Sequence, residues 1–405
     1  MKKSYRAVSF VVALVVIASM LLVACQAAPT AAPAAPAAPA AEEAAPAAAA
    51  APADLSAGVA VYKFDDTFMT AVRNSITKEA EGKIKVEMVD SQNAQATQND
   101  QVDLFISKKV SAMAINPVDR TAAGVILEKA KAAGIPIVFF NREPLAEDMA
   151  KWDKVYYVGA VAKQSGEMAG KLLADWWLAH PEADLNKDGV MQYVMLKGEP
   201  GHQDAELRTE WSVKAIEAAG IKVEKVAEDT GMWDRVKGQE KMAAFIAAHD
   251  NIEAVLANND DMALGAIEAL KAAGYFGADK KFMPVVGVDA TAPALAALKD
   301  GTLLGTVLND AVNQGKATLN LTYVLAKGET PTDANTGYKI TDGKYVWVDY
   351  KPITLENIGE ATGEEPAAAA PAAPAAPAAD MSPVDGTAGV AVYKFDDTFM
   401  TAVRN

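Results

Sequence analysis

Cysteine is nearly absent: the 405 residues contain one, Cys25. That excludes a disulfide framework, a thiol nucleophile and a Cys-based metal site elsewhere in the chain. Positive charge is also short, with 38 Lys and Arg against 53 Asp and Glu and a formal net charge of −15. A nucleic-acid binder needs a basic face to meet phosphates, so no nucleic acid is expected as a partner. Residues 7–24 form an apolar run that follows Lys2, Lys3 and Arg6 and closes on Leu22-Val23-Ala24-Cys25. A basic start, an apolar core and small residues before a cleavage point make an export signal. Cys25 directly after that point gives residues 1–24 the form of a bacterial lipoprotein signal peptide, with a lipid expected on Cys25. The alternative is an uncleaved membrane anchor, since the run is just long enough to span. Both readings put the bulk of the chain outside the cytoplasm and tethered to a membrane.

Residues 25–57 are expected to be the tether, because from residue 26 they are almost wholly Ala and Pro. Such a segment buries no core and behaves as an extended spacer, reaching roughly 100 Å at about 3.1 Å per residue. From Gly58 to about Gly359, strand and helix patterns alternate. Short runs rich in Val, Ile and Phe at 58–64, 84–89, 111–116, 135–140, 154–158, 191–197, 222–228, 253–258, 283–288 and 302–308 read as buried parallel strands. Between them apolar residues recur three and four apart, as at Met69, Val72 and Ile76, and Ala-Ala-Gly stops at 132–134, 218–220 and 272–274 end helices. Repeated βα units predict an α/β fold of doubly wound parallel sheets. About 300 residues are too many for one such sheet, so two lobes are expected. Residues 361–387 return to an Ala/Pro-rich linker, and 388–405 then repeat 57–74 residue for residue. The copy reads as the start of a second domain, or as a strand able to exchange with its twin.

Several strand candidates stop abruptly at hydrogen-bonding residues, and ligands of open α/β sheets sit beyond the carboxyl ends of the strands. Asp66 and Phe68 supply an acceptor and a ring after the first strand. Asp204 and Arg208 lie four apart on one helix face beside His202. Trp233 supplies a second ring, and Asn141, Asn259, Asp289 and Asn309 close other strands. Carboxylates accept hydrogen bonds, Asn and Arg donate them, and rings cover C–H faces. That set suits a small, neutral, hydroxyl-rich ligand. Each residue also has a plainer reading, as a helix cap, a surface ion pair or packing; their shared position at one sheet edge favours a site.

Taken in order, Tyr-Lys-Phe-Asp-Asp-Thr-Phe (62–68), Phe-Phe-Asn-Arg-Glu-Pro (139–144), Lys-Gly-Glu-Pro-Gly-His-Gln-Asp-Ala-Glu-Leu-Arg-Thr (197–209), Met-Trp-Asp (232–234), Ala-Asn-Asn-Asp (257–260), Gly-Val-Asp-Ala (287–290) and Thr-Val-Leu-Asn-Asp (306–310) resemble the galactose/glucose-binding proteins of the type 1 periplasmic binding protein family. The resemblance covers about Gly58 to Tyr350. It implies two lobes joined by a three-strand hinge, an N-lobe of 58–160 with 310–345 and a C-lobe of 161–309 with 346–360. It implies a monosaccharide, D-galactose or D-glucose, sandwiched by Phe68 and Trp233. Polar contacts would come from Asp66, Asn141, His202, Asp204, Arg208, Asn259, Asp289 and Asn309. The sugar would pass to a membrane ABC permease; the alternative is a sensor component that presents sugar to a chemoreceptor, which the chain alone does not separate from transport. Phe64, Thr67 and Gln203 depart from the family's commonest residues, and the lipid signal, spacer and repeated tail are unlike its soluble member.

Asp184, Asn186, Asp188 and Gln192 place oxygen side chains at positions 1, 3, 5 and 9 of a loop with Gly189 at position 6 and the Val190 carbonyl at 7. That is the wrapping pattern of a Ca²⁺ loop. Met195 stands where a bidentate carboxylate belongs, so the loop alone is incomplete, and an Asn/Asp/Gly turn is the alternative. The resemblance implies a structural Ca²⁺ completed by Glu253. Two other functions stand against a binding protein. A glycoside hydrolase would use a carboxylate pair such as Asp66, Asp204 or Asp289, yet nothing singles one out as an acid. A sugar-responsive repressor would need a basic helix-turn-helix at the N-terminus, where a signal and spacer stand instead.

Overall fold

A computed structural model describes residues 55–277 and 282–362. The expected signal peptide, Cys25, nearly all of the tether and the repeated segment lie outside the described residues. Five successive strands, joined by four helices, build most of the first sheet. They are β1 (Ser56–Val61), β2 (Lys85–Asp90), β3 (Ala112–Ile115), β4 (Ile137–Phe140) and β5 (Val155–Gly159). Helices α1 (Thr67–Ala80), α2 (Gln95–Ser107), α3 (Ala123–Ala133) and the short α4 (Ala146–Met149) connect them. β3, β4 and β5 are buried at every residue, as parallel strands covered on both faces must be.

After β5 the chain enters α5 (Ala162–Ala179) and builds a second sheet from β6 (Val190–Lys197), β7 (Lys222–Thr230), β8 (Ala254–Ala257) and β9 (Val285–Val286). Helices α6 (Gln203–Ala218), α7 (Arg235–Ala248), α8 (Asp260–Ala272) and α9 (Ala292–Lys299) alternate with them. β10 (Thr306–Leu308) leads back through α10 (Ala311–Ala326) and α11 (Asp333–Thr336) to β11 (Tyr345–Trp347). β12 (Lys351–Ile353) and α12 (Gly359–Thr362) end the described chain.

The sheet orders are β11-β5-β4-β3-β1-β2 and β7-β6-β8-β9, and every pair within them is parallel. The strand orders reverse direction beside β1 and β6, the switch points where such sheets bind ligands. Each lobe has its own core. Val59, Val138, Phe140 and Val158 anchor one side of the first, and Val194, Val255, Ile267 and Leu270 one side of the second. The chain passes between lobes three times: after β5, after β10, and between β11 and β12. β12 pairs antiparallel with β10, tying two of those passages together.

Some boundaries shift from the sequence expectation. Ser56 and Ala57 already pair in β1, so the tether ends sooner than residue 57. β11 pairs with β5 in the first sheet, which moves the last crossing from between residues 345 and 346 to beyond Trp347. The runs expected at 283–288 and 302–308 keep only two and three ladder residues. From Gly287 to Asp289 the contact with the neighbouring strand continues only as isolated bridges, and the backbone then turns at Asp289 and Ala290.

Candidate functional site

All ten residues expected to face a ligand line one chamber between the lobes, and Tyr62, Met69 and Arg142 join them. Strand ends and helix starts place them. Asp66 caps α1: its Oδ1 accepts from the Met69 amide at 2.6 Å and its Oδ2 from the Tyr62 hydroxyl at 2.5 Å. Asp66 thus caps the helix and lines the chamber at once. Asn259 caps α8, accepting from the Met262 amide at 3.0 Å, while its amide group donates to the Trp233 carbonyl at 3.3 Å. Asp289 and Asn309 follow β9 and β10, and Asn309 Nδ2 donates to Asp289 Oδ1 at 3.2 Å.

Asp204 and Arg208 form no surface pair. Arg208 is 4% exposed, and its guanidinium donates to Asp204 Oδ2, Tyr350 Oη, Ser165 Oγ and the Asn258 carbonyl at 2.9–3.1 Å. His202 Nδ1 accepts from the Asp204 amide at 3.1 Å, which puts the ring proton on Nε2. Burial, reinforced by Arg142, Arg208 and Arg120, holds the imidazole well below its usual range and neutral. Burial raises the carboxyls of Asp66, Asp204 and Asp289; Arg208 opposes the effect at Asp204 and Asp289.

Backbone strain concentrates here. Asn141, Met232, Trp233, Asp289 and Ala290 all take positive φ, at 61°, 54°, 62°, 126° and 52°. Non-glycine residues adopt such angles where surrounding structure enforces them, often at ligand sites. Trp233 packs edge-on to His202 at 5.1 Å and lies close against Gly198, where an added Cβ would stand 2.1 Å from the ring. Trp233 Nε1 and Arg142 Nε are buried without a protein acceptor. Buried donors are rarely left unpaired, so the chamber has hydrogen-bonding capacity to spare.

Residues of both lobes wall the chamber, so a ligand enters when the lobes part and is held when they close. Across the cleft, Arg142 of the first lobe meets Glu199 of the second at 2.9 Å, with side chains 5% and 14% exposed. Asn93 also donates to Glu199 at 3.3 Å. Arg142 lies over the Tyr62 ring at 3.7 Å and donates to the Val118 carbonyl at 2.6 Å. Arg142 and Tyr62 stand within the strand-end motifs 139–144 and 62–68, but their place in the chamber shows only in the fold.

Comparison with known proteins agrees with the architecture. A periplasmic binding protein domain profile matches residues 57–330. The chain belongs to the periplasmic binding protein family. The D-galactose/methyl-galactoside binding periplasmic protein MglB of Haemophilus influenzae is 47% identical, over 76% of this chain and 92% of that protein. A putative rhizopine-binding protein of Rhizobium meliloti is 32% identical over the same shares. An ABC transporter solute-binding protein of Bacillus halodurans C-125, solved with bound myo-inositol, is 33% identical with a TM-score of 0.64, covering 76% of this chain and 96% of that one. The family and these relatives are solute-binding proteins rather than enzymes. No helix among the described residues is long and apolar enough to cross a membrane.

This periplasmic binding protein carries its Asp184–Gln192 loop on the second lobe, ahead of and into β6. Asp184 accepts from the amides of Asp188 and Gly189, and Asp188 from the amide of Val190 and from Gln192 Nε2, at 2.8–3.2 Å. Glu253, 3% exposed, accepts from the Leu185 and Gln192 amides at 2.7 and 3.0 Å. The distant carboxylate thus reaches the loop. Gln192 Oε1 is buried without a hydrogen-bond donor. An unpartnered buried oxygen is rare and is the one feature of this loop that fits a cation. Among the described residues no three His, Cys, Asp or Glu side chains are grouped so as to hold a metal ion.

Proposed function

We propose that this protein captures a neutral hexopyranose, D-galactose or D-glucose, between its lobes and delivers it to a membrane ABC permease. The observation that carries this reading is the charge state of the chamber. Arg208 is engaged by Asp204, and Arg142 by Glu199, so neither cation is left for an anionic ligand. What remains is acceptors (Asp66, Asp289), amides (Asn141, Asn259, Asn309), a neutral imidazole and the Phe68 and Trp233 rings. Alternating donors and acceptors around apolar faces match a sugar ring. The Haemophilus influenzae relative, named for galactose and methyl-galactosides, supports a hexose, whereas relatives named for ribose and rhizopine mark the wider range of the family.

Hydrogen bonds to charged partners contribute about 1.5–3 kcal/mol each and ring contacts about 0.5–1.5. Micromolar binding needs about 8 kcal/mol net, which leaves a margin for closure and desolvation. Ligand bridging the lobes would favour the closed, hinge-bent state that a permease reads. Calorimetric titration with D-galactose, D-glucose, D-ribose and D-xylose tests the reading. Both hexoses should bind more tightly than either pentose; tighter pentose binding would overturn the hexose assignment.

Two features accompany this function. Asp184, Asn186, Asp188, Val190, Gln192 and Glu253 would hold a structural Ca²⁺ that closes the loop ahead of β6, supported by the orphaned Gln192 oxygen. A lipid on Cys25 would tether the binding lobes near their permease; that rests on the sequence around Cys25, and mass spectrometry of the membrane fraction would test it.

A further inference from the structure

Asp260 lies behind the chamber and does not line it, yet its hydrogen bonds converge on the turn that aims Asp289. The turn is unusual: Asp289 and Ala290, neither a glycine, both take positive φ. The three backbone amides from Asp289 to Thr291 are each tied down. That of Asp289 donates to the Val307 carbonyl at 2.8 Å. That of Ala290 donates to Thr306 Oγ1 at 3.2 Å, and the Thr306 hydroxyl in turn donates to Asp260 Oδ1 at 2.6 Å. The amide of Thr291 donates directly to Asp260 Oδ2 at 2.7 Å. The backbone of Asp260 closes the loop by donating to the Val288 carbonyl at 2.7 Å.

Asp260 and Thr306 are fully buried, so water competes for none of these bonds. Gly287 makes the approach feasible, since a Cβ there would stand 2.4 Å from Asp260 Oδ1. A carboxylate at the first residue of α8 also meets the favourable end of the helix dipole. One helix start therefore does two things: Asn259 faces the chamber, and Asp260 grips the opposite wall.

We infer that Asp260, acting through Thr306, is a positioning residue that holds the strained Asp289–Ala290 turn and thereby sets recognition of the one sugar hydroxyl that Asp289 meets. This deepens the sugar-binding reading and rests on it. Two residues that touch no ligand would determine selectivity at a single position of the ring.

The test is calorimetric titration of wild type, Asp289→Ala, Thr306→Val and Thr306→Ser with D-galactose and its monodeoxy analogues. The analogue that binds wild type and Asp289→Ala alike identifies the hydroxyl that Asp289 takes. Thr306→Val should weaken D-galactose about tenfold, the scale of one buried bond to a charged group, while binding that analogue as wild type does. Thr306→Ser should recover the affinity. If Thr306→Val proves unfolded by circular dichroism, Asp260→Asn with the same panel replaces it. Equal loss for every analogue, or no loss for D-galactose, would overturn the inference while leaving the sugar reading intact. Absence of hexose binding by wild type would overturn both.

Discussion

Glu199 does not line the sugar chamber, yet it should control how tightly the sugar is held. Its carboxylate spans the cleft to Arg142 Nη2 at 2.9 Å and to Asn93 Nδ2 at 3.3 Å. Both partners belong to the other lobe, so these bonds exist only when the lobes are closed. Glu199→Gln removes the charge and keeps an acceptor, leaving the buried Arg142 with the Val118 carbonyl and the Tyr62 ring. A bond between charged groups contributes about 1.5–3 kcal/mol. Because the neutral amide retains part of it, a loss of about 1.5 kcal/mol in the closed state is expected. Apparent affinity scales with the fraction of closed, competent protein, and about 1.4 kcal/mol is tenfold. Glu199→Gln should therefore raise the Kd about tenfold for D-galactose and D-glucose alike, measured calorimetrically. Small-angle scattering should show a larger radius for the sugar-free variant than for sugar-free wild type. Unchanged affinity would refute the latch, and a loss confined to one hexose would place Glu199 against the sugar instead.

Trp233→Ala should weaken hexose binding by more than tenfold, since it removes a ring face and lets water into the chamber; Trp fluorescence of the remaining tryptophans or calorimetry reads it. Adding Ca²⁺ to chelator-treated protein should raise its melting temperature, and Glu253→Gln should remove that rise; no rise in wild type would eliminate the metal. A third expectation concerns pH. Burial pushes the Asp260 carboxyl up to about 6 from 3.8, so the folded protein holds this proton more tightly than the unfolded chain does. The stability it adds is complete below about 3.8 and is lost as pH rises through about 6. Wild type should thus lose stability relative to Asp260→Asn between pH 4 and 6 in urea denaturation. Wild type that keeps or gains stability relative to Asp260→Asn over that range would contradict the assignment.

The alternation of strands and helices was legible because parallel strands buried on both faces read as unbroken Val, Ile and Phe runs, as at Ile137–Phe140. β11 and β12 escaped because three residues with a single buried position in each give no such run. The ends of β9 and β10 were overextended for a physical reason. Beyond Val286 the pairing with the β10 segment survives only as isolated parallel bridges, Val286 to Gly305 and Asp289 to Leu308, because the backbone turns to positive φ at Asp289 and Ala290. Within the chamber, strand-end position in the sequence is enough to mark Asp66, Asn141, Asp289 and Asn309. Arg142 and Glu199 were not legible as a pair, since their meeting depends on how the two lobes close. Asp260 was passed over because beside Asn259 it looks like one more acid in a helix's first turn.

The most direct test of the central claim is a crystal structure of the protein with D-galactose. The pyranose should lie between the Phe68 and Trp233 rings, with Asp66, Asp289 and Asn309 on its hydroxyls and the lobes closed around it. A sugar bound outside that chamber, or a chamber that stays empty at millimolar hexose, would contradict the account.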